Sequence, residues 1–469
     1  MNNDYASRIT GAFLGAGVGD ALGAPAQSWK EGRVCQVFGR IKDYIDPDKA
    51  YAKTPARRRL KGLYSLPAQQ FLAVAETILA FGDFSVKELS EMYKSLAGSE
   101  EGNTGAFRSL DPHFKKSLQN LIDGADPLST GLPHPGLDPV ARVIPLAICF
   151  REKEDQLLRF IIESSLMTSS DPRAVAGAAA VGFTAKQILL DPGLAGRYSE
   201  FSSAIQDFTR KSEEMLQDDY GKYMADTGAG NFYAMSDALA ILETCLREGD
   251  PDLVNRSIIR EANRSNPPHP ISSVNQDFAV PAVMRIIFLA LSSESFSNGV
   301  LDAVNEGKES CRMGSAVGAL LGLRFGEDSI PEDWIRGLLN ANQLRLRGAE
   351  MAQGYADWGM RIDLATLESD LTRKDEAARE KILADARKKA EKRKAAKLSI
   401  PKPSKPELPP QEEAPFAPPP ETVFGGELPD PVKAKKQKAI RGRKRISWKE
   451  HRRKKRRQEK KKDRKQSDD

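Results

Sequence analysis

Apolar positions along residues 5–345 recur at helical spacing and rarely alternate. Residues 69–81 are apolar at 71, 72, 75, 78 and 79, which is one face of a helix. Residues 86–96 continue in the same style. Helical segments broken by Pro and Gly follow over 103–125, 139–151, 154–168, 172–189, 197–219, 231–247, 251–264, 278–292, 296–305, 312–325 and 331–345, and one precedes them over 5–24. Residues 25–60 contain Pro25, Gly32, Gly39, Pro47 and Pro55 with few periodic apolar positions, and read as mostly loop. The pattern predicts an all-α domain over residues 1–350.

Two of these helices carry glycine at every fourth position. The first has Gly11, Gly15, Gly19 and Gly23; the second has Gly314, Gly318, Gly322 and Gly326. Four-residue spacing puts each set on one helix face. Each ladder costs roughly 3–4 kcal/mol relative to alanine. Close approach of another backbone offsets that cost, so the two ladders are expected to face each other. The residues at their tips would then meet in space. Asp20 and Arg324 interrupt the apolar runs, and no 18-residue apolar stretch exists, so no membrane span is expected.

Composition changes after about residue 365. Residues 366–399 are rich in Ala, Glu, Lys and Arg without an apolar stripe, and read as a solvated charged helix. Residues 400–432 are proline-rich and read as an extended linker. Residues 433–465 hold 20 Lys and Arg against 3 Asp and Glu, a net of +17. Asp468 and Asp469 add −2, so the total of +6 leaves −9 for residues 1–432. An acidic body thus carries a basic tail that is expected to be disordered. Such a tail binds polyanions through counterion release, and Trp448 offers a ring for base stacking. Nucleic acid or an acidic protein is its expected partner. Cys35, Cys149, Cys245 and Cys311 show no metal-type spacing and suit free thiols in a reducing compartment, so the expected location is cytoplasmic.

Several stretches together resemble the ADP-ribosylglycohydrolase family. They are residues 11–25, Pro139-Val-Ala-Arg142-Val-Ile-Pro145-Leu, Ser165-Leu-Met-Thr168 followed by residues 171–180, residues 314–326, and Ile330-Pro-Glu-Asp-Trp334. They occur in family order over about residues 6–345. The resemblance implies a multi-helix orthogonal bundle that hydrolyses the glycosidic bond of ADP-ribose with two magnesium ions. It also implies metal ligands from a Thr-Asp-Asp-Thr run, an Asp-x-Asp-Thr run and a Glu after the first helix. Hard divalent cations suit such oxygen donors.

This chain departs from that pattern. Gln27 stands where the Glu belongs, Ser65-Leu66-Pro67-Ala68 replaces the first run, and Glu309-Ser310-Cys311-Arg312 replaces the second. The degenerate catalytic positions are therefore Gln27 and Glu309. Ligand-binding candidates are Asp20, Ser65, Arg142, Cys311 and Arg312. Each has a second reading. Ser65 caps a helix or ligates; Glu309 complements a helix dipole or ligates; Cys311 fills space or reacts; Arg142 is a buried structural group or a ligand contact; Gln27 ends a loop or bonds a ligand hydroxyl. Arg312, with Lys308 beside it, is placed to hold a phosphate. About four negative charges are missing, and a positive one is added. At 4 Å from a divalent cation a unit charge is worth roughly 8 kcal/mol. The expectation is a pseudoenzyme without bound cofactor that retains a cleft for an ADP-ribose-like ligand. The alternative is a hydrolase with relocated carboxylates.

Overall fold

A computed structural model describes residues 3–52, 54–98, 105–194, 196–224, 232–354 and 362–398. The linker over 400–432 and the tail over 433–469 lie outside the described residues. The described residues are helices and connecting turns, with isolated bridges but no β-strand among them.

The two ladder helices, Asn3–Gly23 and Ser310–Phe325, run antiparallel at the centre. A Cβ added at Gly11, Gly15 or Gly19 would come under 3.0 Å from the backbone of Gly322, Gly318 or Gly314 respectively. The same addition at Gly23 would strike Ser310. Backbone therefore meets backbone at four successive points over about three helical turns, and the ladders do face each other. Helix Ala341–Gln353 crosses the first ladder helix beside Thr10, where Gly348 removes the obstructing side chain.

Helix Pro172–Leu190 is apolar all round from Ala174 to Phe183 and almost wholly buried, with Arg173 and Lys186 ion-paired at its two ends. Helices Ile144–Cys149, Glu154–Leu166, Tyr198–Asp218 and Ala279–Ser292 surround it. Arg142 sits in this region, fully buried. It is ion-paired to Asp138 at 3.2 Å and donates to the Ser164 carbonyl at 2.7 Å and Thr168 Oγ1 at 2.6 Å.

Three local differences from the sequence reading have physical causes. Residues 25–60 contain a helix, Glu31–Phe38, that was hidden because only Val34 on it is buried. Trp29 stacks on Phe38 at 5.5 Å, and Arg33 lies 4.1 Å over Trp29, so one aromatic contact replaces an apolar stripe. The segments over 231–247 and 331–345 each break in two. In the second, Asn340 adopts a left-handed φ of 61° between Glu332–Gly337 and Ala341–Gln353. The charged helix is Leu364–Leu398, and the reading of it as solvated is corrected. Leu364, Leu367 and Leu371 are buried, and Glu368 is fully enclosed. Glu368 pairs with Arg108 at 2.5 Å and accepts from Gln69 at 2.8 Å, with Tyr64 as a third donor. Three leucines and one satisfied carboxylate dock the helix without a long stripe.

Candidate functional site

At one end of the ladder seam lies a cleft of about 540 Å³. Its walls come from Gln27 after the first helix, the loop carrying Arg57, Arg58 and Arg59, the start of helix Leu66–Phe81, and Glu309 to Arg312 at the start of the second ladder helix. Asp111 and Asp277 line it too. Asp375, Glu376 and Arg379 of the last helix form a further side. Antiparallel ladders bring residues 27 and 309 together across 282 positions.

Gln27 closes this junction. Its Nε2 donates to Glu309 Oε2 at 3.1 Å, and its Oε1 accepts from the Cys311 amide at 3.0 Å. The side-chain amide thus satisfies an orphan donor at the helix N-terminus. Ser310 Oγ donates to the Gly23 carbonyl at 2.8 Å.

Arg312 is the electrostatic centre. Its guanidinium bonds Glu309 Oε2 at 2.6 Å, pairs with Asp111, and lies 3.5 Å from Asp138. Despite its burial, these carboxylates and Asp277 hold its pKa well above the ordinary value. The expectation of an open phosphate donor at Arg312 is corrected: four carboxylates already surround it. Lys308 does not line this cleft at all; it faces another cavity. Burial raises the Glu309 pKa, with Arg312 and Gln27 opposing. Asp138 is lowered against its burial by Arg142 and Arg312. Asp277 is likewise lowered against burial by His134, at 3.0 Å, and by Arg312.

Asp20 and Arg142 do not reach the cleft, which corrects their assignment as ligand-binding residues. Asp20 is fully buried below it. Its carboxylate accepts from Ser65 N at 2.9 Å, Ser65 Oγ at 2.6 Å and Ala68 N at 3.2 Å. Ser65 is the N-cap residue of its helix, but Asp20 does the capping. Burial raises the Asp20 pKa, opposed by Arg59 at 3.9 Å. Cys311 is buried with Arg59 Nη1 at 3.9 Å. Burial, and then Asp20, push its thiol up to about 12, so the reading of Cys311 as a reactive thiol is not supported.

The residues that sequence reasoning passed over are mostly arginines. Arg57 is exposed and donates to the Gln27 carbonyl at 2.6 Å. Arg58 pairs with Asp48 and keeps a buried Nε without a partner. Three consecutive arginines were a visible signal, masked by the proline-rich loop around them. His134 and Asp277 gave none, since 143 positions separate them.

The paired magnesium ions implied by the resemblance do not fit these residues. Gln27 is engaged in capping, Ser65 donates to Asp20, Cys311 is a soft thiol, and the cleft carboxylates Glu309, Asp111 and Asp277 are already taken by the Arg312 guanidinium and His134. Among the described residues no three His, Cys, Asp or Glu side chains form a group able to hold a metal ion.

A profile of the ADP-ribosylglycohydrolase family matches residues 1–373. The chain belongs to the ADP-ribosylglycohydrolase family. It is 22% identical over 355 residues to an uncharacterized protein of Archaeoglobus fulgidus, covering 76% of this chain and 98% of that relative. A solved structure described as an ADP-ribosylglycohydrolase-related protein complex matches with a TM-score of 0.51 and 20% identity, covering 75% of this chain and 98% of that one. That likeness is one of fold. The match to residue 373 takes in the docked start of the last helix. Among the described residues no helix is long and apolar enough to cross a membrane.

Proposed function

We propose that this ADP-ribosylglycohydrolase-family domain is a pseudoenzyme that holds an ADP-ribose-like ligand in its cleft without hydrolysing it. One observation carries the reading: the Arg312 guanidinium lies among Glu309, Asp111 and Asp138, the carboxylates nearest the junction. A fixed cation there occupies the carboxylate oxygens, offsets part of their charge and repels a mobile divalent one. Arg57 and Arg58 supply donors for a pyrophosphate at the rim, since bidentate guanidinium contacts favour phosphate oxygens. The cleft volume lies within the range of small-ligand sites.

The test is calorimetric titration with ADP-ribose, with and without magnesium, beside an assay for ADP-ribose release from a modified protein. The expected result is binding that magnesium does not change, with no release. Magnesium-dependent release would establish the hydrolase reading instead. Replacing Arg57 and Arg58 together by alanine is expected to weaken ADP-ribose binding at least tenfold.

The basic run over 433–465 adds a separate proposal, a non-specific tether to nucleic acid, with an acidic protein as the competing partner. Its affinity for RNA should fall steeply between low and physiological salt. Removing residues 400–469 should abolish it, and unchanged RNA affinity after that truncation rejects the tether.

A further inference from the structure

Behind the wall of the main cleft lies a second cavity of about 470 Å³. The wall is thin. Lys308 lines the second cavity and Glu309 the first; Lys30 lines the second and Gln27 the first. Two main-chain bonds hold the wall together, Ser28 N to the Lys308 carbonyl and Lys308 N to the Trp29 carbonyl, both 2.6 Å.

Three side chains lining this cavity each carry a buried polar atom without a partner: Arg285 Nη1, Asn255 Oδ1 and Glu306 Oε2. They come from three different helices or helix ends. Arg285 is only 3% exposed. Its Nε and Nη2 both donate to Glu306 Oε1, at 2.9 and 2.7 Å, which leaves the outer atom of each partner unused. Leaving a buried donor or acceptor unsatisfied is costly, so three in one cavity are an unusual concentration.

Charge narrows the class of ligand. Lys30, Arg40, Arg285 and Lys308 are matched by Glu31, Asp252, Asp302 and Glu306 along the lining. Arg40 pairs with Asp302 at 2.6 Å, and Arg285 with Glu306. The lining is neutral overall and asks for hydrogen bonds of both senses. One acceptor must meet Arg285 Nη1, and donors must meet Asn255 and Glu306. A hydroxyl does either. We propose that this cavity is a second binding site, for a small uncharged polyhydroxylated molecule of the sugar class, held by Arg285, Asn255 and Glu306. Because the wall is shared, its occupancy would also stiffen residues 27–30 and 307–309 at the edge of the first cleft.

The test uses the full chain titrated with D-ribose, D-glucose and adenosine by ligand-observed NMR. The expected result is saturable binding of at least one probe, weakened about tenfold or more in Asn255→Leu with an unchanged melting temperature. No saturable binding of any probe, or binding that Asn255→Leu leaves unchanged, overturns the proposal. Crystals of the unaltered protein soaked in D-ribose decide the case if the variant does not fold. Sugar hydroxyls bonded to Arg285 Nη1 and Asn255 Oδ1 support the site. Water alone at those atoms, or binding at crystal concentration only, rejects it.

Discussion

The ladder seam and the cleft at its end are built from the same two helices and obey opposite rules. Along the seam, Gly15 and Gly318 leave no room for any side chain, so packing alone dictates the residue type. Beyond the end of the seam, Gln27 and residues 309–312 sit where side chains meet in a polar cleft. There an amide caps the helix, and a guanidinium lies amid carboxylates. A fold of this kind survives replacement of its polar tip as long as the new groups satisfy one another. Packing constrains each position separately, whereas a charge cluster constrains only the sum.

The sharpest way to break this contrast is Gly318→Val. The added atoms would collide with the Gly15 backbone, which has nowhere to move. The expected loss exceeds about 4 kcal/mol, read as failure to fold or collapse of the thermal transition. A soluble variant with a normal melting curve would show that the seam is not closed.

Next comes Arg312→Leu, which strips Glu309, Asp111 and Asp138 of their shared cation. The expected cost is about 3 kcal/mol by chemical denaturation at pH 7, since the partners keep only partial access to water. The pH profile carries the sign. Asp138 and Asp277 are held below the ordinary carboxylate range, so they stabilise the fold above their unfolded pKa and lose that contribution as pH falls through the folded values. Without Arg312 that acid loss should begin at higher pH. His134 runs the other way: raised by Asp277 against its burial, it stabilises at low pH and loses that contribution as pH rises through its folded value. An acid limb identical in the two proteins would mean that Arg312 does not organise the cluster.

A smaller, kinetic effect concerns the cysteines. With its thiol pushed up to about 12, Cys311 should resist alkylation at pH 8 while exposed Cys35 reacts quickly. Peptide mass spectrometry after a timed iodoacetamide pulse checks this, and fast labelling of Cys311 would reopen the thiol reading. The smallest effect is Gly32→Ala. That glycine lies in helix Glu31–Phe38, and nothing sits within 4 Å of an added Cβ. A gain of up to about 1 kcal/mol is expected in a denaturant titration, against the collapse at Gly318.

Much of the fold was legible in the chain. The spacing of residues 71, 72, 75, 78 and 79 marked a helix, which proves buried on every side from Leu66 to Ile78, and two glycine ladders predicted a backbone contact. The helix Glu31–Phe38 was not legible, because a stacked Trp29–Phe38 pair replaces periodicity. The docking of residues 364–375 was also hidden, since its decisive group, Glu368, looks like any solvated glutamate until Arg108, Tyr64 and Gln69 surround it.

The candidate site divides in the same way. The linear sequence was enough to bring the tips of the two ladders together, and Gln27 and residues 309–312 with them, but not to set the register: the observed one is offset by one repeat, so that Gly23 meets Ser310 and Gly326 lies beside Ser7. Set beside the family resemblance, the sequence also marked the positions where acids were expected and other residues stand, since residue type is local information. The tertiary structure alone decided that Arg312 is enclosed by carboxylates rather than open to phosphate, that Asp20 and Arg142 serve the interior, and that Arg57 and Arg58 face the cleft. Charge is settled by neighbours in three dimensions, and those neighbours come from segments that nothing in the order of the chain connects.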